Sequence, residues 1–323
     1  MAYKSTAYQK AINILERRRE RATLDANALA LEISQKIPEI DNIQRKLSAI
    51  GLSISKLFFH GGDIQSEVDK LRRSSLALQK EKKALLVQNG YDEDALTPKY
   101  ICSACSDTGY VNDRMCTCHR ELLKEIERDA LRRNAPLDDC TFDSFKVEYY
   151  PAVPMDNGVV PREKAQKIFD SCRMYAQSFN AHSPNLMFMG ATGLGKTHLS
   201  LAIANVAIGK GYSVIYGTSQ NILSDLQNEN FGRTDNIYYT EHDVLTTDLL
   251  IIDDLGTEFK STYSTACLYN IINTRILRKK PTVISTNFDY DDLSREYDQR
   301  ITSRIAGEFS TLILEGNDIR YIK

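Results

Sequence analysis

The chain has 323 residues and a mass of 36.6 kDa, room for two domains of ordinary size. Hydrophobic residues make up 42%, enough for a substantial core, and the formal net charge of −2 excludes a global pull on nucleic acid, so any such contact has to come from a local patch. No apolar stretch approaches the roughly 20 residues that span a bilayer, and the first 11 residues lack the apolar centre of a signal peptide. The expectation is a cytosolic protein with no membrane partner, in which clustered cysteines are metal ligands rather than disulfides.

Residues 1–95 are almost free of Gly and Pro and carry apolar residues at helical spacing: Leu24, Ala28 and Leu31 in one stretch, and Leu71, Leu78 and Leu85 at seven-residue intervals in another. This pattern predicts a helical hairpin or short coiled-coil arm, broken at Pro38 and at Gly61-Gly62. The charge run Glu16 to Arg21 reads as a solvated helix face, its opposite charges paired three and four residues apart.

Residues 96–135 are rich in cysteine. Cys102 and Cys105 form a CxxC pair, and Cys116, Cys118 and His119 follow as CxCH. Between them, Thr108–Val111 and Arg114–Met115 read as two short strands around an Asn112-Asp113 turn, and a hairpin there brings the two pairs together. Four thiolates at tetrahedral distance make a closed structural Zn²⁺ site, which orders a segment too short to build its own core; His119 is the alternative to one of the cysteines. Cys140, Cys172 and Cys267 stand alone and read as core residues.

From residue 136 to 323 strands and helices alternate. Asn185–Met189 reads as a buried strand followed by Gly190, Ala191, Thr192, Gly193, Leu194, Gly195, Lys196 and Thr197, a complete P-loop running into a helix that continues through His198. The glycines let successive backbone N–H groups face phosphate oxygens, and the helix N-terminus adds its positive dipole end. Lys196 suits the β and γ phosphates, and the Thr197 hydroxyl suits Mg²⁺. Leu249 to Ile252 is an apolar run of the kind found in parallel sheets covered on both faces, and it ends in Asp253 and Asp254. Asp253 is the magnesium carboxylate and Asp254 the group that polarises attacking water. The β-branched runs Tyr212–Tyr216, Thr282–Thr286 and Thr311–Leu314 complete an α/β fold with a parallel sheet flanked by helices.

The set GATGLGKT, YGTS, LLIIDDLG, ISTN and QRITSRI, in that order, resembles the AAA+ ATPases of the DnaC/DnaI helicase-loader type and the related IstB-like transposition helpers, over roughly the last 190 residues. The cysteine module resembles that of loader-type proteins of low-GC Gram-positive bacteria and their phages. The resemblance implies ATP as the nucleotide, Asn287 as the sensor of the γ-phosphate, and Arg304 as the arginine finger that reaches a neighbouring subunit's ATP. Arg300, four residues earlier, is the competing finger, and Arg320 sits where the second sensor arginine falls. Asp254 stands where many AAA+ enzymes have glutamate, which implies slow hydrolysis. Only 36 residues follow Asn287, which predicts a P-loop AAA+ core with no C-terminal lid, completed by contacts between subunits.

Phe231 and Arg233 fall where loaders contact single-stranded DNA, one to stack on a base and the other to meet a phosphate. The implied function is an ATP-dependent loader that grips the hexameric replicative DNA helicase through its N-terminal region, self-associates in the ATP state, and releases the helicase on single-stranded DNA. The alternatives are an IstB-like transposition helper that assembles on duplex DNA, and a zinc-stabilised adaptor that does not hydrolyse ATP.

Overall fold

The computed structural model describes residues 5–57, 64–233 and 238–321. The chain forms two compact units, Ile12–His119 and Arg120–Lys323, the second including the first 11 residues of the chain. No helix among the described residues is long and apolar enough to cross a membrane.

The chain begins with three helices, α1 (Ser5–Lys36), α2 (Pro38–Leu57) and α3 (Ile64–Gln88). Pro38 opens α2, where its missing N–H costs nothing and its fixed φ suits the first turn, so the predicted break is real. The Gly61-Gly62 break lies outside the described residues. Leu71, Leu78 and Leu85 are each half-buried along α3. The seam expected on α1 is different: Leu24 and Leu31 are 67% and 62% exposed, and the inward stripe runs through Ala26 and Ile33 instead. Ile33, Ile37 and Ile40 pack with Leu86 and Ala95, and that cluster, which straddles Pro38, decides which stripe of α1 turns inward.

A two-stranded hairpin follows, β1 (Tyr110–Val111) and β2 (Arg114–Met115), antiparallel with Val111 opposite Arg114. Asn112 and Asp113 adopt φ of 47° and 59°, the left-handed pair that a two-residue turn needs and that Asn and Asp tolerate. Helix α4 (Thr117–Arg132) starts on the second cysteine pair.

The larger unit contains α5 (Pro161–Ser178), β3 (Asn185–Met189), α6 (Lys196–Gly209), β4 (Val214–Thr218), α7 (Ser219–Asn230), α8 (Glu241–Thr246), β5 (Leu249–Leu255), α9 (Thr262–Leu277), β6 (Thr282–Thr286), α10 (Tyr290–Glu296), α11 (Gln299–Glu308) and β7 (Phe309–Ile313). The five strands β3 to β7 form one parallel sheet in the order β4-β5-β6-β3-β7. Alternate residues feed opposite cores: Leu186, Phe188, Leu249 and Ile251 pack with α5 and α6, whereas Met187, Met189, Leu250 and Ile252 pack with α7, α9 and α11. This is the predicted parallel α/β architecture.

Strand β4 starts two residues later than its β-branched run implies. Gly211 at φ 90° closes α6, and the Tyr212 N–H turns back to the Ala207 carbonyl at 3.0 Å, so Tyr212 belongs to the helix cap and not to the ladder. Strand β7 begins at Phe309, ahead of the predicted Thr311, and Leu314 still donates its N–H to Met189 at 2.8 Å.

Candidate nucleotide-binding site

Strand order positions the site. Because β6 lies between β3 and β5, Asn287, which follows β6, is set between the P-loop after β3 and the carboxylates of β5. The P-loop turns through Gly193 and Gly195 at φ of 79° and 78°. A Cβ on Gly193 would collide with the Asp318 carboxylate, and one on Gly195 would lie 2.8 Å from the Phe145 ring, so only glycine fits at either position. Tyr150, fully buried, donates its hydroxyl to the Leu194 carbonyl at 2.7 Å and fixes the loop from below.

Lys196 opens α6 and is buried. Its Nζ donates to the carbonyls of Gly190 and Ala191 and to Asn287 Oδ1, each at 2.8 Å. Burial pulls its pKa below the usual lysine range, while the charges of Asp254 and Asp253 oppose that pull. Thr197 donates its hydroxyl to the Asp253 carboxylate at 2.9 Å. Asp253 also accepts from the Tyr216 hydroxyl at 2.7 Å and from the Ser285 hydroxyl. Burial keeps Tyr216 protonated and therefore a donor.

Consecutive residues on a regular strand point to opposite faces, so Asp253 and Asp254 would diverge. A register shift between Ile252 and Leu255 prevents this: three steps on β5 match two on β6, and Asp254 takes φ 51° at the bulge. Its N–H donates to Ser285 Oγ at 3.0 Å, and its carbonyl accepts from the Thr257 hydroxyl at 2.9 Å and lies 3.1 Å from the Ser219 hydroxyl. Burial, reinforced by the Asp253 charge, raises the Asp254 pKa.

The resulting cavity, about 320 Å³, is lined by the loop from Thr192 to His198 together with Asp254, Asn287 and Arg320. Ser144, Phe145 and Tyr149 form a further wall. His198 Nε2 lies 2.8 Å from the Thr141 carbonyl and holds that wall in place. Arg320 is joined to Asp318 at 2.7 Å. The site thus gathers Gly190 to His198, Asp253, Asp254, Asn287 and Arg320. Phe231 and Arg233, exposed at the end of α7, lie outside it, as do Arg300 and Arg304 on α11. Tyr216 and Ser285 were missed in the sequence, although each sits inside a motif, YGTS and ISTN, whose strand-end position was a usable signal.

In the smaller unit, the sulfurs of Cys102, Cys105, Cys116 and Cys118 all lie within 4.8 Å of one another, with Cys102–Cys116 at 3.8 Å and Cys105–Cys118 at 3.4 Å. Zinc–sulfur bonds of about 2.3 Å put the edges of an S₄ tetrahedron near 3.8 Å, so this donor set fits Zn²⁺. Buried Asp107 shapes the first knuckle by accepting from the N–H groups of Ile101 at 2.8 Å and Cys102 at 2.9 Å. His119 is buried edge-on to Tyr110, with ring centres 5.5 Å apart, and is not among the four clustered donors.

Residues 162–306 match the family model described as IstB-like ATP binding protein. The replicative helicase loader DnaC of Buchnera aphidicola subsp. Acyrthosiphon pisum is 28% identical over 189 residues, 57% of this chain and 71% of the relative. DnaC of Escherichia coli K12 is 26% identical over 188 residues, 57% of this chain and 69% of the relative. DnaC of Buchnera aphidicola subsp. Baizongia pistaciae is 30% identical over 171 residues, 52% and 63% of the two chains. With motif, strand order and matched segment in agreement, residues 162–306 of this chain are similar to the IstB-like ATP-binding proteins.

Proposed function

We propose that the protein is an ATP-dependent loader of a hexameric replicative DNA helicase, and that it hydrolyses ATP slowly as a switch between gripping and releasing its partner. The observation that carries this reading is the convergence of Lys196, Thr197, Asp253, Asp254 and Asn287 at one cavity beside a P-loop, in a chain whose relatives are named helicase loaders.

Backbone N–H groups of the P-loop bind the phosphates, and the Lys196 ammonium neutralises charge on them. Thr197 and Asp253 are the residues that hold Mg²⁺, which when bound neutralises charge at the phosphate oxygens. Asp254 orients the attacking water and accepts its proton; burial makes it a stronger base than an ordinary aspartate. Asn287, tied to Lys196, orients the same water from the other side.

Arg304 completes a neighbouring copy's site. It is half-exposed and has no ion-pair partner among the described residues, whereas Arg300 is held by Asp298 at 2.8 Å and lies over the Tyr269 ring. A guanidinium already paired within its own chain is the poorer finger. Phe231, 64% exposed, and Arg233 offer the stacking surface and charge that single-stranded DNA requires. The four cysteines hold Zn²⁺ as a structural cross-link in the N-terminal, helicase-gripping region.

The test is co-elution of the protein with the replicative helicase of its own host in the presence of ATP, with phosphate release measured with and without single-stranded DNA. A complex that is lost on deleting residues 1–130 supports the reading. No complex, together with turnover stimulated only by duplex DNA, favours the transposition helper. No turnover at all, unchanged by Lys196→Ala, favours the adaptor.

A further inference from the structure

Glu258 follows β5 by three residues and is 9% exposed. A carboxylate taken out of water requires compensation, and no cation pairs with this one among the described residues. Three neutral donors from three different elements compensate it instead. The Gly256 N–H donates to Oε2 at 2.9 Å from the turn after β5. The Ser219 hydroxyl donates to the same oxygen at 2.6 Å from the first residue of α7. The Tyr297 hydroxyl donates to Oε1, and Tyr297, itself buried, is followed directly by Asp298, the N-cap of α11.

These contacts end at two functional places. On one side, Gly256 and Ser219 are neighbours of Asp254, for the Ser219 hydroxyl also lies 3.1 Å from the Asp254 carbonyl. On the other side, α11 buries Ile301 and Ile305 and carries Arg304 on its more exposed surface. A three-residue hydrogen-bonded link, Ser219–Glu258–Tyr297, therefore joins the bulge that presents Asp254 to the start of the helix that presents Arg304.

We infer that Glu258 is a positioning residue which, with Tyr297, couples the hydrolytic turn of one subunit's site to the arginine that subunit offers its neighbour. The inference rests on the proposed role of Arg304 as a finger acting on an adjoining copy. The carboxylate is the suited group because its two oxygens accept from both sides at once. Glutamine keeps one acceptor for Ser219 and Gly256 and turns an amide toward Tyr297, whose hydroxyl then accepts; Tyr297→Phe removes the link and leaves the ring packed.

The test uses two single-defect chains, Lys196→Ala, which lacks the nucleotide lysine but still offers Arg304, and Arg304→Ala, the reverse. Mixed, they rebuild composite sites with ATPase activity. Adding Tyr297→Phe to the Lys196→Ala chain is expected to lower the mixed kcat about tenfold, while Glu258→Gln in the same chain lowers it less than about threefold. The nucleotide Kd of the unaltered Arg304→Ala chain and the melting temperature of each variant provide the controls. A mixed kcat insensitive to Tyr297→Phe in the arginine-offering chain overturns the link, as does a loss that appears only in melting temperature. Failure of the two parent chains to complement each other, when they co-elute as a mixed assembly in the presence of ATP, refutes the composite site itself, and the link with it.

Discussion

Lys196 on the P-loop helix and Asn287 at the end of β6 are joined by a hydrogen bond of 2.8 Å, Nζ to Oδ1, across 91 residues of sequence. The same ammonium also satisfies two P-loop carbonyls, so one buried cation ties the P-loop to the end of β6.

Asn287→Ala is expected to separate binding from chemistry. Nucleotide Kd, read by fluorescence titration, should change less than about threefold, whereas kcat should fall about 10²-fold, the size of effect expected when a water-orienting group is lost. Lys196→Ala should weaken nucleotide binding as well, because the charge facing the phosphates is gone.

Asp254 is expected to govern the acid side of the pH–rate profile. Its pKa is raised by burial and by the Asp253 charge, so it takes up a proton at higher pH than an ordinary aspartate, and kcat should decline earlier as pH falls. Asp254→Asn should remove that limb and lower kcat by about 10²- to 10³-fold while nucleotide is still bound, measured as phosphate release across pH.

Zinc content can be measured directly. About one Zn²⁺ per chain is expected by elemental analysis, and Cys105→Ser should abolish it. Chelator-treated protein should be cleaved much faster by protease between residues 100 and 119, because the hairpin there has two-residue strands and no core of its own.

Arg275 is a stability residue despite its charge. Wholly buried, with its pKa lowered to about 9 by that burial, its guanidinium donates to the carbonyls of Val244 at 2.8 Å, Thr247 at 3.1 Å and Pro281 at 2.7 Å, and to the Thr282 hydroxyl at 3.0 Å. Arg275→Ala strands those acceptors and opens a cavity, and should cost about 3–5 kcal/mol in denaturant unfolding.

The helices, hairpin and parallel strands were legible because each is written in local chemistry. Val111 and Arg114 flank two residues that accept positive φ, and Thr282–Thr286 is a β-branched run bounded by Pro281 and Asn287. The α1 seam was misread because Leu24 and Leu31 obey helical spacing as well as Ala26 and Ile33 do, and only the partners across Pro38 distinguish the two stripes.

The sequence alone determined the phosphate-binding loop, the acidic strand end, the four-cysteine cluster and the alternation that makes the sheet parallel, since all depend on residue type and short-range spacing. Tertiary structure alone decided that β6 lies between β3 and β5, that a bulge turns Asp254 to the cavity, and that Glu258 meets Tyr297. Those outcomes depend on which distant segments pack together, and a buried carboxylate finds its donors wherever the fold brings them, not where the chain lists them.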